Sequence, residues 1–172
     1  MKLELVRPTL ELKKKALAYR QEHFDYDERV INGSELFDQI DSYEEWLDKV
    51  NKNSNATTVD PNWVVTDTFF AVDREHDCIV GIIDLRHTLN DFLKNFGHSG
   101  YSVRPSERNK GYASEMLRQL LDVARAANMP ELLLSVVKSN EASIKTIIKN
   151  GGVYHRSFEY DGELADIYRI EL

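Results

Sequence analysis

The segment Gly100-Tyr101-Ser102-Val103-Arg104-Pro105-Ser106-Glu107-Arg108-Asn109-Lys110-Gly111-Tyr112-Ala113 closes a β-rich run, turns, and opens a helix at a glycine. The first turn of a helix carries N–H groups without intrahelical partners, and its dipole makes that end electropositive. Gly111 and Ala113 are small enough to let a ligand reach the backbone, and Arg108 and Lys110 add positive charge. Such a start can cradle a pyrophosphate. Taken alone, Arg108 to Ala113 read more readily as a capped surface helix with two solvated cations, so the surrounding elements must decide. GxGxxG and GxxxxGK(S/T) are both absent, which excludes a dinucleotide fingerprint and a P-loop. HExxH and GxSxG are absent too, and His76-Asp77-Cys78 reads as a turn without a second ligand cluster; no metal is expected.

The elements around this segment follow from hydrophobic period and turn residues. Leu3 to Val6 alternates as a strand stopped by Pro8, and Thr9 opens a helix through Glu22. Ser34 reads as the cap of a second helix with Leu36, Ile40, Tyr43, Leu47 and Val50 on one stripe. A polar loop over 51–62 precedes strands at Thr66–Val72 and Cys78–Leu85, joined by the turn Asp73 to Asp77. A short helical piece lies near Asp91 to Asn95, and a strand spans His98 to Val103. Lys110 to Asn128 carries the strongest helical period. Leu132 to Val137 is continuously apolar, which predicts a strand buried on both faces. Asn140 opens a further helix closed by Asn150-Gly151-Gly152, and Asp161-Gly162 joins two last strands, Val153–Tyr160 and Glu163–Ile170. With no repeat or linker, residues 1–172 are expected to form one α/β domain.

Arg108-Asn109-Lys110-Gly111-Tyr112-Ala113 matches the Q/R-x-x-G-x-G/A signature, and Asn140-Glu141-Ala142-Ser143 follows a strand and precedes a helix. In both motifs and in element order the chain resembles the GNAT superfamily of acetyl-CoA-dependent N-acetyltransferases. The residue-level match is specific from about His98 to Gly152. The resemblance implies a mixed, mostly antiparallel sheet flanked by helices, with two central strands splayed around the thioester. It assigns pantetheine pairing to the backbone of Ser102, Val103 and Arg104, and pyrophosphate binding to the N–H groups of Arg108, Asn109, Lys110, Gly111, Tyr112 and Ala113. Asn140 would bond the pantetheine chain with Ser143 nearby. Acetyl-CoA is the implied co-substrate.

The sequence departs from the family at one place. Many members carry a tyrosine seven positions after the asparagine, where its hydroxyl protonates the departing thiolate; here that position is Ile147. Tyr101, Tyr112 and Tyr154 are the candidate replacements, with Tyr101 taken as the candidate acid, although each could equally be a packed, half-buried tyrosine. A free thiol has a reference pKa near ~8.5, so its thiolate already leaves tolerably. An amine nucleophile near pKa ~10 must lose a proton first, and His98, on the strand bordering the thioester, is the candidate base. Asp84 and His87 stand behind it. His98 reads equally well as a satisfied strand histidine.

Charge bounds what else the chain could be. It has 172 residues, 22 Lys+Arg against 29 Asp+Glu and a pI near 5.3, which argues against nucleic acid as a partner. The charge is uneven. Residues 21–48 hold ten acids against Arg29, a balance of −9, whereas Gly100 to Asn150 carries +3. In the resembling family the acidic stretch forms the acceptor wall, where it would attract a cationic acceptor and leave the basic stretch to the anionic cofactor. One cysteine, Cys78, excludes a disulfide framework and suggests the cytoplasm. No apolar run approaches the ~20 residues of a membrane helix, and Glu4 interrupts any signal peptide. The expected activity is direct transfer of acetyl to the primary amine of a small cationic molecule or a peptide. A CoA-binding sensor of the same fold is the alternative that Ile147 keeps open. A homodimer is left open as well.

Overall fold

The computed structural model describes residues 1–172. It contains two antiparallel sheets flanked by helices. The first, in the order β1-β2-β3-β4, is built from β1 (Leu3–Val6), β2 (Thr66–Asp73), β3 (Cys78–Arg86) and β4 (Tyr101–Val103). The second, in the order β5-β7-β6, joins β5 (Glu131–Val137), β6 (Val153–Tyr160) and β7 (Glu163–Glu171). The helices are α1 (Lys13–Asp25), α2 (Tyr43–Asn53), α3 (Tyr112–Ala126) and α4 (Glu141–Lys149). No helix is long and apolar enough to cross a membrane.

Two apolar clusters bind these layers. Phe70, Val72, Ile79 and Ile82 on one face of the first sheet pack with Tyr19 of α1 and with Tyr43 and Trp46 of α2. Phe69, Val80 and Ile83 on the other face meet Met116, Leu117 and Leu120 of α3, and that cluster continues into Leu132, Leu134 and Ile170 of the second sheet. β2 supplies both by alternation, and the bulge at Ala71/Val72 shifts the register against β3, so that Ile79 and Ile82 share a face although their parity differs. Fully burying one such side chain is worth about 1.5–3 kcal/mol, so the two clusters hold the first sheet from both sides.

The second helix begins later than its apolar stripe suggests. Ser34 does not cap it; Ser42 does, its Oγ accepting from the N–H of Glu45 at 3.2 Å. Residues 31–40 instead form a tied loop. Glu35 and Leu36 have φ of +52° and +69°, which no right-handed helix accommodates. Trp46 Nε1 donates to Ser34 O at 2.8 Å, the Ile31 N–H donates to Asp38 Oδ2 at 2.7 Å, and Arg20 donates to the carbonyls of Phe37 and Ile40. These bonds hold the strained turn in place.

The strand expected over His98 to Val103 forms a ladder only from Tyr101, and β5 is buried on one face rather than two. Leu132, Leu134 and Val136 are buried, but Leu133, Ser135 and Val137 are only partly so. The reason is layering: α1 and α2 cover the first sheet, and neither extends across the second.

Candidate active site

The two sheets touch at one point and then part. Gly97 bridges Leu134, and the His98 N–H donates to Leu133 O at 2.8 Å. Beyond this contact β4 pairs only with β3, and β5 only with β7. The gap widens into a cleft of about 1580 Å³, bordered by β4, the start of α3, the start of α4 and the 31–40 loop.

At one end of the cleft lies the segment that opens α3. Asn109 and Gly111 both adopt left-handed backbone, with φ of +62° and +87°. None of the six N–H groups from Asn109 to Ser114 donates to a backbone or side-chain acceptor. A Cβ at Gly111 would stand in open space, 3.7 Å from its nearest neighbour, the Met1 Cε. The chain therefore presents a run of free donors at an electropositive helix start with nothing crowding the backbone, and a pyrophosphate fits that donor set.

The ladder between β3 and β4 decides which peptide groups of β4 remain available. The Asp84 N–H donates to Gly100 O, and the Arg104 N–H donates to Val80 O. Alternation therefore turns Gly100, Ser102 and Arg104 toward β3, and leaves the N–H and C=O of Tyr101 and Val103 on the open edge. The open-edge pairing expected of Ser102 and Arg104 shifts to Tyr101, with Val103 retained. Ser102 is used otherwise: its carbonyl accepts from Tyr19 Oη at 3.1 Å and its Oγ donates to Asn32 O at 2.8 Å.

Asn140 caps α4, its Oδ1 accepting from the Ser143 N–H at 3.2 Å. Ser143 Oγ and Tyr101 Oη are 2.7 Å apart, so the structure brings together two residues that the sequence placed in different motifs. Burial raises the Tyr101 phenol above its ordinary range, so it keeps its proton at neutral pH. The other two tyrosines are occupied. Tyr112 donates to Asp73 Oδ2 at 2.8 Å, with its phenol pushed by burial up to about 12. Tyr154 is exposed, outside the cleft, and paired with Ser157. Ile147 is 1% exposed and sits against Gly152, so the usual tyrosine position is a packing position here.

His98 is not placed as a base. Its Nδ1 accepts from the Leu133 N–H at 2.9 Å, its ring is buried, and it does not border the cleft. Burial lowers its pKa, which keeps the ring neutral and able to accept that bond. The residue ties the sheets where they touch. His87 is likewise committed, 2.7 Å from Asp67. Of the weaker candidates Asp84 borders the cleft, and so does Glu35, which in the sequence is only one acid among ten. No period or motif marks Glu35; a glycine two positions earlier is the sole local signal.

The expected separation of acidic and basic regions is only partly kept. Arg108 forms a two-bonded ion pair with Glu28, at 2.7 and 2.6 Å, and Glu28 also meets His23 Nδ1 at 2.9 Å. Arg104 bonds Glu22 Oε1 at 3.0 Å, and Glu22 accepts from Ser106 as well. Two acids of the 21–48 stretch thus neutralise two cations of the cofactor segment. The Arg108 hydrogen bonds hold the Glu28 carboxyl down at about 2.

The Acetyltransferase (GNAT) domain family matches residues 3–153. The chain belongs to the GNAT acetyltransferases. Among solved structures it is similar to a ribosomal L7/L12 α-N-protein acetyltransferase in complex with coenzyme A, at 16% identity and a TM-score of 0.71, covering 100% of this chain and 95% of that one. It is also similar to a spermidine N-acetyltransferase variant from Vibrio cholerae, at 15% identity and a TM-score of 0.65, covering 99% and 95%. No curated protein matches the chain by sequence. The GNAT fold binds acetyl-CoA, and the free donors at the start of α3 suit it.

Proposed function

We propose that residues 1–172 form one cytoplasmic N-acetyltransferase domain. It transfers acetyl from acetyl-CoA to the primary amine of a small cationic molecule or a peptide. The observation that carries this reading is one cleft lined by the start of α3 with its free backbone donors, by Tyr101 and by the carboxyl groups of Glu35 and Asp84. The N–H groups from Asn109 to Ser114 hold the pyrophosphate, and the open-edge groups of Tyr101 and Val103 hold the pantetheine arm. Asn140 and Ser143 complete that side. The bound thioester supplies the acetyl group. Tyr101, protonated and hydrogen-bonded to Ser143, supplies the proton that the departing sulfur needs. Direct transfer is favoured because the Cys78 thiol does not border the cleft and burial raises its pKa.

The test has two parts. Acetyl-CoA should raise the melting temperature, and thiol release should appear with at least one amine from a panel including spermidine and peptides with free N-termini. An unshifted melting temperature sinks the cofactor assignment. A shift without release on any amine selects the CoA-binding sensor instead.

A further inference from the structure

The acceptor end of the cleft contains a charged cluster that the cofactor chemistry leaves unused. Gly33 and Gly100 bring its parts together. A Cβ on Gly33 would fall 2.1 Å from Gly100 O, so only glycine lets the 31–40 loop lie directly on the chain entering β4. Two residues further on, Glu35 borders the same cleft as Asp84 of β3 and lies within reach of its charge. Asp84 is 3% exposed; its Oδ1 accepts from the Gly100 N–H at 2.7 Å, and both its oxygens lie 3.4 Å from the Arg86 guanidinium. The Arg86 side chain is nine-tenths buried and borders the cleft, yet its Nε has no hydrogen-bond partner. Glu35 Oε1 is also buried without a partner. Arg86 Nε thus has only the 3.4 Å ion pair with Asp84 Oδ2, and the Glu35 oxygen is desolvated at the cleft wall with nothing to satisfy it, which is costly unless a ligand does so.

We infer that Glu35 and Asp84 together form the subsite that receives the acceptor's ammonium group, and that Glu35 takes its proton. This rests on the N-acetyltransferase reading above and names the residues that activate the amine. Two carboxyls in one buried site cannot both ionise cheaply, which favours the neutral form of Glu35. Burial, and then the Asp84 charge, push Glu35 up to about 9. The other charged groups around it are Arg86 of β3 and Lys49 of α2, which lower it, with Asp38 of its own loop and Asp60 beyond α2 on the same cleft wall.

The pair suits an ammonium in two ways. The ionised carboxyl accepts N–H bonds from it and holds it beside Tyr101. Once Glu35 has lost its own proton, its basicity approaches that of a primary amine at ~10, so a proton passes from nitrogen to Glu35 with little penalty. The freed nitrogen lone pair then forms the C–N bond to the acetyl carbonyl carbon, and the C–S bond breaks with its electron pair on sulfur. Sulfur takes a proton from Tyr101, and the second nitrogen proton returns through water to the phenol. Glu35 releases its proton to solvent. One amide, one thiol and one proton result from one ammonium and one thioester.

A substrate-free measurement separates this inference from the activity. In protein labelled with 13C at glutamate carboxyls, the Glu35 signal, assigned by its loss in Glu35→Gln, should titrate near pH 9. Its midpoint should fall by at least about one pH unit in Asp84→Asn, and also on adding spermidine, because a bound cation favours the carboxylate. A midpoint in the ordinary carboxylate range overturns the inference that Asp84 and burial raise Glu35. The catalytic role is read from kcat/KM on the most active amine of the panel. The wild-type to Glu35→Gln ratio should stay near one at low pH and grow to at least about 30-fold as Glu35 ionises. Acetyl-CoA should stabilise both proteins alike, which shows that the variant folds. Turnover with a ratio that does not change with pH overturns this inference and leaves the acetyltransferase standing. Stabilisation by acetyl-CoA without turnover on any amine overturns the acetyltransferase reading instead, and the titration still decides the pair.

Discussion

The start of α3 leaves six consecutive N–H groups of one loop free, whereas Glu35, Asp84 and Arg86 reach the same cleft as side chains from separate segments. The first arrangement depends on backbone conformation at Asn109 and Gly111, and any residue of suitable size and φ can maintain it. The second depends on two strained residues, a glycine crossing, and a loop anchored by Trp46 and Arg20. Backbone sites tolerate side-chain drift. Side-chain sites convert small changes of position into changes of basicity, because burial and neighbouring charge set the pKa.

The largest effect should come from breaking the backbone end. Gly111→Glu places a charged side chain at φ +87° among the free donors and should remove acetyl-CoA binding, a loss of at least about 100-fold by calorimetry, while the Glu35 titration persists. If affinity survives, the cradle is misplaced.

The seam between the two ends comes next. His98→Ala leaves the Leu133 N–H without its acceptor and should cost about 1–3 kcal/mol in denaturant unfolding, with the pH profile of kcat unchanged in shape. A profile that loses an ionisation would restore His98 as the base. Tyr101→Phe, across the same seam, should lower kcat by roughly tenfold without altering acetyl-CoA affinity, because a thiolate leaves tolerably without an acid. An unchanged kcat would leave the phenol with a packing role only.

The smallest effect sharpens the contrast by asking whether the ends are coupled. Arg108 cannot serve Glu28 and a pyrophosphate equally, so Glu28→Gln should tighten acetyl-CoA by about threefold, a shift best seen at low salt. The pair also has a pH signature. Its folded carboxyl sits at about 2 against an unfolded value near ~4.3, so its contribution to stability is present above that range and is lost as pH falls toward 2. The wild type should lose its advantage over Glu28→Gln only in that acid window, and a difference that persists below it would mean the ion pair is not the cause.

What was readable from the chain follows the same division. Arg108 to Ala113 and Asn140 to Ser143 are contiguous, their chemistry is that of helix starts, and the structure puts both on the cleft. Ile147 was readable as a departure, and its burial against Gly152 explains it. Period alone misplaced the second helix at Ser34, because apolar spacing does not register two left-handed residues that stop a helix from starting. It also predicted two buried faces for β5, since a run of apolar residues does not say which neighbours exist to cover it.

The charge split of −9 and +3 was arithmetic on the sequence, but only the folded chain shows Glu22 and Glu28 crossing that divide to hold Arg104 and Arg108. By itself the sequence determined the family, the order of elements and the two helix-start motifs that border the cleft, because those depend on contiguous backbone chemistry. The tertiary structure alone decided that His98 joins sheets, that Tyr101 meets Ser143, and that Glu35 and Asp84 border one cleft. Each of those depends on distances between segments remote in the chain, and a buried group's basicity is set by what packs around it.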